Sequence, residues 1–417
     1  MRLTDEEEAM RAGTFGPLRQ WAIEHQVKVG GYLGAGDFVP VNQAHIMADT
    51  ESLGDAGVAW LEGWAKLPAA ERRVRVPTIT DPRGTDFAAA ARLKQQPWML
   101  ERERRAIAAF EALGVLMTDT CINYQTIMPP VRGEHMAYGD TGVVIYSNSV
   151  CGARSNFEGG PSALSAGLTG RTPRYGYHLD EHRRATLLIQ IAATPRDLAD
   201  WGALGGIVGR LAGDYWQVPA IVGIDRVPTS DEMKHFGAAL ASYGSVALFH
   251  MVGITPEAQL LEDVTTPGAA LRSHDVGETD IRAFQQSYAR DIGAVDVVVF
   301  SAPQLSLVEM RQLADLLDGR RATIPLLAIT SPQVKPDADR LGLTARIEAT
   351  GGIVLAGMCF YQSYAREMRE ANGWQRLATN SAKLTNIIGG YGYRPALMSM
   401  EACIAAACAG GRIGSAS

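Results

Sequence analysis

Short runs of β-branched and apolar residues alternate along this chain with longer amphipathic stretches rich in Ala, Leu, Glu and Arg. Asp296–Phe300 and Ile324–Ile329 are examples of the short runs, and Trp98–Leu113 and Leu307–Leu317 of the helical stretches. Strands that alternate with helices form parallel sheets with helices on both faces. The sequence therefore predicts an α/β protein built from three-layer α/β/α domains with mostly parallel sheets.

A chain of 417 residues exceeds what one hydrophobic core usually holds, so we expect two or three domains. Joints that contain Pro and Gly near residues 77–84 and 265–268 offer the best boundaries. They predict an N-terminal α/β segment over residues 1–80 that packs on the rest, an α/β domain over residues 81–265 and a second α/β domain over residues 266–417.

Charge and hydropathy exclude several classes of protein. The 39 Lys and Arg residues against 45 Asp and Glu give a net charge of -6, so the chain lacks the basic face that nucleic acid requires. Residues 5–8 are all acidic, unlike the start of a signal peptide, and the apolar runs fall far short of the roughly 20 residues of a membrane helix. We expect a cytoplasmic enzyme that binds neither nucleic acid nor a membrane.

The positions of the cysteines indicate where a ligand site lies. Ligands of open α/β sheets bind beyond the carboxyl ends of the strands. Three of the five cysteines follow predicted strands: Cys121 after Val115–Met117, Cys151 after Val143–Tyr146 and Cys359 after Gly352–Leu355. An odd number of scattered cysteines argues against a disulfide framework. These three positions favour metal binding or catalysis, whereas Cys403 and Cys408 lie in a predicted terminal helix and read as structural.

One long block, residues 147–174, combines glycines with hydroxyl, amide and guanidinium groups. Glycines let the backbone approach a ligand closely, and these polar groups can hold a small anion. The alternative is an ordinary loop that caps a helix beginning at Pro161. The block supplies the candidate substrate-binding residues Ser147, Asn148, Arg154, Ser155, Asn156 and Arg171.

At this block the sequence resembles aconitase X, a divergent branch of the aconitase superfamily. The resemblance runs from Leu3 to about Ala409, and the order and spacing of its motifs make it specific. Those motifs include Ala44-His45-Ile46, Thr120-Cys121, Asn148-Ser149, Gly152-Ala153-Arg154, Glu158-Gly159-Gly160-Pro161-Ser162, Leu168-Thr169-Gly170-Arg171-Thr172-Pro173 and Thr379-Asn380-Ser381-Ala382-Lys383.

The resemblance implies a hydro-lyase that removes water from a small hydroxy acid with the help of an iron–sulfur cluster. Family members act on cis-3-hydroxy-L-proline or on mevalonate 5-phosphate. They join a large part, which this chain matches, to a small swivelling domain, so a separate small subunit is the expected partner. We expect dehydration of cis-3-hydroxy-L-proline to Δ1-pyrroline-2-carboxylate. The alternatives are the large subunit of a mevalonate 5-phosphate dehydratase and a subunit without a cluster that binds or regulates.

The resemblance also implies roles for residues near the carboxyl terminus and near residue 45. Lys383, Ser381 and His45 become the candidate catalytic residues. Lys383 is suited to proton transfer if burial lowers its pKa, and otherwise to contact with an anion. Phe157 stands where relatives tend to have arginine, and this loss of a cation disfavours a phosphorylated substrate.

The implied cluster ligands depart from the family pattern at one position. Cys121 and Cys359 match two of the three usual cysteines. The third normally lies in a Gly-Cys-Pro-His stretch, which here reads Ser301-Ala302-Pro303-Gln304. Because the methyl group of Ala302 cannot bind iron, Cys151 is the expected substitute, and the predicted metal ligands are Cys121, Cys151 and Cys359.

Overall fold

A computed structural model describes residues 1–268, 270–289 and 292–413 of the chain. Strands and helices alternate through most of this length, as the sequence predicts. The strands in the described residues are β1 Phe38–Pro40, β2 Ala44–Ile46, β3 Thr78–Thr80, β4 Ala137–Tyr138, β5 Arg171–Pro173, β6 Leu187–Ile191, β7 Pro219–Val222, β8 His250–Met251, β9 Arg272–Val276, β10 Val297–Leu305, β11 Leu326–Thr330, β12 Ile353–Ala356, β13 Arg376–Thr379 and β14 Arg394–Leu397.

The helices lie between these strands and before the first of them. In the same residues they are α1 Asp5–Arg11, α2 Pro17–Tyr32, α3 Thr50–Ala65, α4 Ala69–Arg72, α5 Pro97–Ala112, α6 Thr141–Ser149, α7 Pro161–Thr169, α8 Leu198–Ala212, α9 Ser230–Gly244, α10 Leu261–Val264, α11 Glu278–Ala289, α12 Leu307–Leu316, α13 Lys335–Arg340, α14 Leu343–Ala349, α15 Ala365–Asn372, α16 Ala382–Ile388 and α17 Met400–Cys408. None of the helices described here combines the length and the apolar character needed to cross a membrane.

The sheets are mostly parallel, which confirms the predicted fold class. Three sheets have only parallel pairs, with strand orders β3-β2-β4, β8-β7-β6-β9 and β12-β11-β10-β13-β14. The short pair β1 and β5 is antiparallel. Parallel strands require crossover connections, and the intervening helices provide them.

The five-stranded sheet shows the three-layer arrangement most clearly. Val298 and Phe300 of β10 pack in a core cluster that includes side chains of α12 and α17. Val297 and Val299, on the opposite face, pack in a second cluster that includes side chains of α15 and α16. Because successive residues of a strand point to opposite faces, both faces of this sheet are covered by helices.

Two of the predicted strands are wrong. Val143–Tyr146 lies inside helix α6, which begins where the Asp140 side chain accepts a hydrogen bond of 2.9 Å from the Val143 amide. A short run of apolar residues that is buried on every side does not distinguish a strand from a helix. Val115–Met117 forms no strand and contributes a single parallel bridge between Ile79 and Leu116. Cys151 therefore follows a helix, whereas Cys359 follows strand β12 as predicted.

The sheets cross both predicted domain joints. Strand β2, within residues 1–80, pairs with β4, which lies beyond residue 80. Strand β6, within residues 81–265, pairs with β9, which lies beyond residue 265. Pro and Gly mark loops at these joints. The division of the chain into residues 1–80, 81–265 and 266–417 stays a prediction.

Candidate active site

The carboxyl ends of two parallel sheets meet at one place in the molecule. Asp81 follows β3 and Asp140 comes shortly after β4, in the three-stranded sheet. Cys359 comes shortly after β12, and Lys383 lies in the first turn of α16 just beyond β13, in the five-stranded sheet. The functional groups that converge here agree with the rule that open α/β sheets bind ligands beyond their carboxyl ends.

A buried ion pair joins the two sheets. The Lys383 Nζ donates to Asp140 Oδ2 at 3.0 Å, and both side chains are at most 5% exposed. Burial opposes the charge on Lys383, but Asp140 and the nearby thiols outweigh burial and raise its pKa. Burial likewise opposes the charge of Asp140, and Lys383 outweighs burial so that the pKa of Asp140 falls. The sequence analysis makes proton transfer by Lys383 depend on a lowered pKa. That condition is not met, because the pairing with Asp140 raises the pKa of Lys383 and keeps it a cation.

His45 lies beside this pair with one free ring nitrogen. Its Nε2 donates to the carbonyl of Thr120 at 2.9 Å, so Nδ1 carries the unshared electron pair. Nδ1 is buried and has no hydrogen-bond partner in the structure. Burial lowers the pKa of His45, which keeps the ring neutral. A neutral imidazole with a free buried nitrogen is suited to accept a proton.

Asp81 is the second carboxylate of this region. Its Oδ1 lies 3.7 Å from His45 Nε2 and has no hydrogen bond, whereas Oδ2 accepts a bond of 3.1 Å from Gln362. Burial and the neighbouring Asp140 raise the pKa of Asp81 well above its ordinary value. The pKa values of the two carboxyl groups thus shift in opposite directions, that of Asp140 downward and that of Asp81 upward.

Two thiols lie next to the ion pair. Cys121 and Cys359 are both buried and interact electrostatically with Lys383 and with each other. Burial raises the pKa of Cys359 to about 12 and that of Cys121 well above its usual range. The backbone amide of Gln304 donates to Cys121 Sγ at 3.4 Å, and the Ser301 hydroxyl lies 3.9 Å from Cys359 Sγ. Segment 301–304 therefore runs between the two thiols.

Cys151, the third predicted ligand, is placed elsewhere. Its thiol interacts electrostatically with Glu134 and with two tyrosines, Tyr138 and Tyr146. In the described part of the chain no group of three or more His, Cys, Asp or Glu is placed to hold a metal ion. With Ala302 between the two thiols, the residues present fall one ligand short of a three-cysteine set for an iron–sulfur cluster.

A cavity of about 350 Å³ opens beside Lys383. Its walls include Met47, Phe157 and Tyr361 together with the ion pair of Lys383 and Asp140. The Lys383 Nζ lies 5.8 Å from the centre of the Tyr361 ring, within range of a cation–π interaction. The cavity is large enough for a small organic acid, and the ion pair of Lys383 and Asp140 forms part of its wall.

Ser381, predicted as catalytic, already has partners in the structure. Its hydroxyl donates to the carbonyl of Ala302 and accepts a bond of 3.1 Å from the Leu384 amide, which caps α16. The neighbouring Asn380 is buried and its side-chain nitrogen has no partner. The cap fixes the first turn of α16, and with it the position of Lys383.

Three of the four candidate substrate-binding residues of the polar block other than its arginines form hydrogen bonds with the protein itself. Asn148 donates to the carbonyls of Ser155 and Ala247, and Ser155 accepts from the Tyr138 amide. Asn156 accepts one hydrogen bond from the Tyr177 amide and another from the hydroxyl of a second tyrosine. Ser147 lies on α6 with its hydroxyl buried and unpartnered. These residues organise the backbone behind the cavity, and their role in binding stays a prediction.

The two arginines of the block lie apart from Lys383. Arg154 donates to the carbonyl of His178 and pairs with Asp180, beside a separate cavity of about 260 Å³. Arg171 pairs with Glu6 and Glu7 of α1, each at 2.7 Å. Neither guanidinium lines the cavity beside Lys383, as far as the described residues show. Substrate binding by either arginine stays a prediction.

Sequence reasoning missed three residues of this site, Asp81, Asp140 and Tyr361. Both aspartates come after short parallel strands, but strands of two or three residues leave too little pattern to identify. Asp140 also precedes Thr141-Gly142 at the start of a helix, a position typical of an N-cap. That signal was present in the sequence, whereas nothing local distinguishes Tyr361.

A buried ion pair, a neutral imidazole and two thiols thus lie near the carboxyl ends of two parallel sheets, the region where α/β proteins bind their ligands. Comparison with known protein families identifies the family of this chain. Residues 1–181, 185–286 and 295–409 match the first, second and third domains of aconitase X, in that order. The chain belongs to the aconitase X family.

Relatives that match nearly the whole of this chain carry two kinds of name. The phosphomevalonate dehydratase large subunit of Thermococcus kodakarensis is 33% identical over 96% of this chain and 98% of its own length. That of Methanothermobacter thermautotrophicus is 35% identical over 92% of this chain and 93% of its own. The cis-3-hydroxy-L-proline dehydratase of Pseudomonas aeruginosa is 32% identical over 98% of this chain, which spans 70% of that protein.

A solved structure agrees with this assignment. The holo form of aconitase X from Thermococcus kodakaraensis superposes with a TM-score of 0.87 at 32% identity, covering 97% of this chain and 99% of that one. The similar proteins named above are dehydratases, which are hydro-lyases, and this chain is a hydro-lyase of the same family.

Proposed function

We propose that this chain is the large subunit of a dehydratase that converts cis-3-hydroxy-L-proline to Δ1-pyrroline-2-carboxylate. The charge of the cavity carries this proposal. Of the described residues that line it, Lys383 and Asp140 alone are charged, and they neutralise each other. A zwitterionic hydroxy amino acid has no net charge and suits such a cavity. A carboxylate that also bears a phosphate, with about -1.5 to -2 further charge, requires cations that these walls lack.

Loss of water requires a base and an acid. In this reaction a base takes the Cα proton, the C–O bond breaks, the hydroxyl takes up a proton and leaves as water, a C=C bond forms, and the resulting enamine tautomerises to the imine. His45 Nδ1 is the base that we propose for the Cα proton, because it is neutral, buried and unpartnered. Lys383 is the cation that we propose beside the substrate carboxylate, where it offsets the charge that develops as the proton leaves.

The iron–sulfur group of the aconitase X resemblance remains part of the proposal. Cys121 and Cys359 are the residues that we propose to hold it, since both are buried beside Lys383. The roles proposed above for His45 as base and for Lys383 as cation are assigned to these side chains and not to such a group. Because Ala302 offers no ligand, this chain supplies two sulfur ligands where the family pattern has three.

A small subunit is the proposed partner. Relatives named as large subunits have nearly the length of this chain, whereas the Pseudomonas protein is longer and this chain spans 70% of it. The name of these relatives supports a small subunit as the partner of this chain. A cytoplasmic location and a lack of nucleic-acid binding stay predictions.

Dehydration of mevalonate 5-phosphate is the second candidate function. The observation that favours it is the near-complete coverage of relatives with that name, at 33% and 35% identity. This substrate requires the small subunit to bring the cations that the cavity walls lack. A subunit that only binds or regulates is the third candidate, suggested by Ala302, but the buried pair of Lys383 and Asp140 argues against it.

The proposal is tested by product formation. The chain is co-expressed with its small subunit, and formation of Δ1-pyrroline-2-carboxylate from cis-3-hydroxy-L-proline is measured for the wild type and for Lys383→Met. We expect turnover by the wild type and its loss in the variant. Equal turnover by both proteins would remove Lys383 from the reaction.

A further inference from the structure

We propose that Gln304 is a positioning residue that holds the loops of Cys121 and Cys359 in one fixed arrangement. Gln304 is fully buried and lies at the end of β10, between the two thiols. The inference rests on the proposal that both thiols belong to the active site. It adds a residue that acts through the two loops that carry these thiols.

The side-chain amide of Gln304 uses its donors and its acceptor at once. Its Nε2 donates to the carbonyl of Asp119 at 3.1 Å and to the carbonyl of Met358 at 3.3 Å. Its Oε1 accepts a hydrogen bond of 3.3 Å from the Cys121 amide. One planar group thus spans the residues that precede both cysteines, and an apolar side chain of equal size makes none of these bonds.

The backbone of Gln304 is fixed as well. Its amide donates to Cys121 Sγ at 3.4 Å, and its carbonyl accepts a bond of 3.2 Å from Lys234 Nζ. Lys234 on α9 is buried and paired with Asp231 at 3.0 Å and with Glu309. The first, second and third aconitase X domains therefore meet at Gln304, since Cys121, Lys234 and Gln304 belong to one domain each.

The loops require hydrogen bonds that hold them in place, because two residues of this region have positive φ angles. Asp119 has a φ of 52° and Ala302 a φ of 56°, in the left-handed region that residues with side chains rarely adopt. Conformations of this kind persist only where the surroundings impose them. The bonds from Gln304 to the Asp119 carbonyl and the Cys121 amide bracket one of these strained positions.

Thiol labelling tests the proposal without any substrate. The full chain, co-expressed with its small subunit, is treated with iodoacetamide, and the labelling rate of each cysteine is followed by mass spectrometry. Gln304→Met keeps the size of the side chain and removes its hydrogen bonds. We expect labelling of Cys121 and Cys359 to rise about tenfold or more, because each lost bond makes local opening easier.

Two controls separate positioning from general loosening. Cys403 is fully buried on α17, and its labelling rate should not change in Gln304→Met. Gln333 donates a single bond of 2.9 Å to the Thr118 carbonyl near the same loop, so Gln333→Met should leave Cys121 and Cys359 as slow as in the wild type.

Two results would overturn the proposal: wild-type rates at Cys121 and Cys359 in Gln304→Met, or an equal rise at Cys403. If Gln304→Met does not fold, Gln304→Asn replaces it, because the shorter amide cannot span both carbonyls and should expose the same two thiols. Because labelling needs no turnover, this result stands apart from the failure or success of the proposed reaction.

Discussion

The Lys383 ammonium lies 3.0 Å from Asp140 Oδ2, although 243 positions separate the two residues in sequence. Asp140 belongs to the first aconitase X domain and Lys383 to the third. The pair thus closes the junction between two parallel sheets and places a cation on the wall of a cavity. From this position we expect the pair to contribute to stability and, in the proposed reaction, to substrate binding.

Breaking this pair should cost much stability. In Lys383→Met, Asp140 is left as an unpaired buried charge, so the free energy of unfolding should fall by about 3–5 kcal/mol. Urea denaturation measures the change. The double variant D140N/K383M should regain most of the stability and none of the activity. Lys335→Met, which breaks a partly exposed pair on α13, is the control and should change stability by at most about 1 kcal/mol.

Replacing His45 should reduce turnover and leave the fold intact. His45→Gln removes the free Nδ1 that we propose as base, and the loss of a general base should lower kcat by about 10²–10⁴-fold. His250→Gln is the matched control, because His250 is equally buried and its Nε2 bonds a backbone carbonyl at 2.8 Å. A kcat of His45→Gln within a few-fold of His250→Gln would exclude His45 as the base.

Glu158 should make the stability of the wild type depend on pH. Burial raises the pKa of Glu158 to about 7 from 4.5, against the opposing bond from Thr172. The folded state therefore binds a proton that the unfolded state releases, and stability falls as pH rises from 4.5 to 7. Glu158→Gln should lack this fall and be more stable than the wild type at pH 8 by about 2–4 kcal/mol.

Urea denaturation at pH 4.5 and at pH 8 checks this prediction. The free energies of unfolding of wild type and Glu158→Gln should nearly converge at pH 4.5, where the carboxyl is protonated in the folded state and half protonated in the unfolded state. The exposed Glu262 offers a control, since Glu262→Gln should not alter the pH profile. A gain in Glu158→Gln of the same size at both pH values would contradict the account.

Serine variants of the cysteines should separate the proposed ligands from the others. Iron and acid-labile sulfide are measured on protein purified anaerobically with its small subunit. We expect Cys121→Ser and Cys359→Ser to lose most of the bound iron, because each removes one of two sulfur ligands. Cys151→Ser should retain the wild-type content, and a loss of iron in that variant would restore Cys151 as a ligand.

Much of the fold was predictable, because helices such as α5 and α12 and strands such as β10 and β11 carry strong periodic patterns. Val143–Tyr146 misled the sequence analysis, since a helix buried on all sides has no polar face to reveal its period. That error also placed Cys151 after a strand and favoured it as a ligand.

The site was only partly predictable for a related reason. Cys121, Cys359, His45 and Lys383 were found through motifs. The partner of Lys383 was not, because the contact with Asp140 depends on how two sheets meet and has no local pattern. Residues that bond mainly to the protein, such as Asn148, look like ligand contacts in sequence because a buried backbone needs the same polar groups.

The cavity beside Lys383 should select a zwitterionic hydroxy acid for dehydration. The most direct measurement offers the co-expressed enzyme an equimolar mixture of cis-3-hydroxy-L-proline and mevalonate 5-phosphate and quantifies both products over time. We expect that Δ1-pyrroline-2-carboxylate accumulates and that the phosphorylated acid is consumed at least tenfold more slowly, a difference of about 1.4 kcal/mol. Preferential consumption of mevalonate 5-phosphate would contradict this expectation.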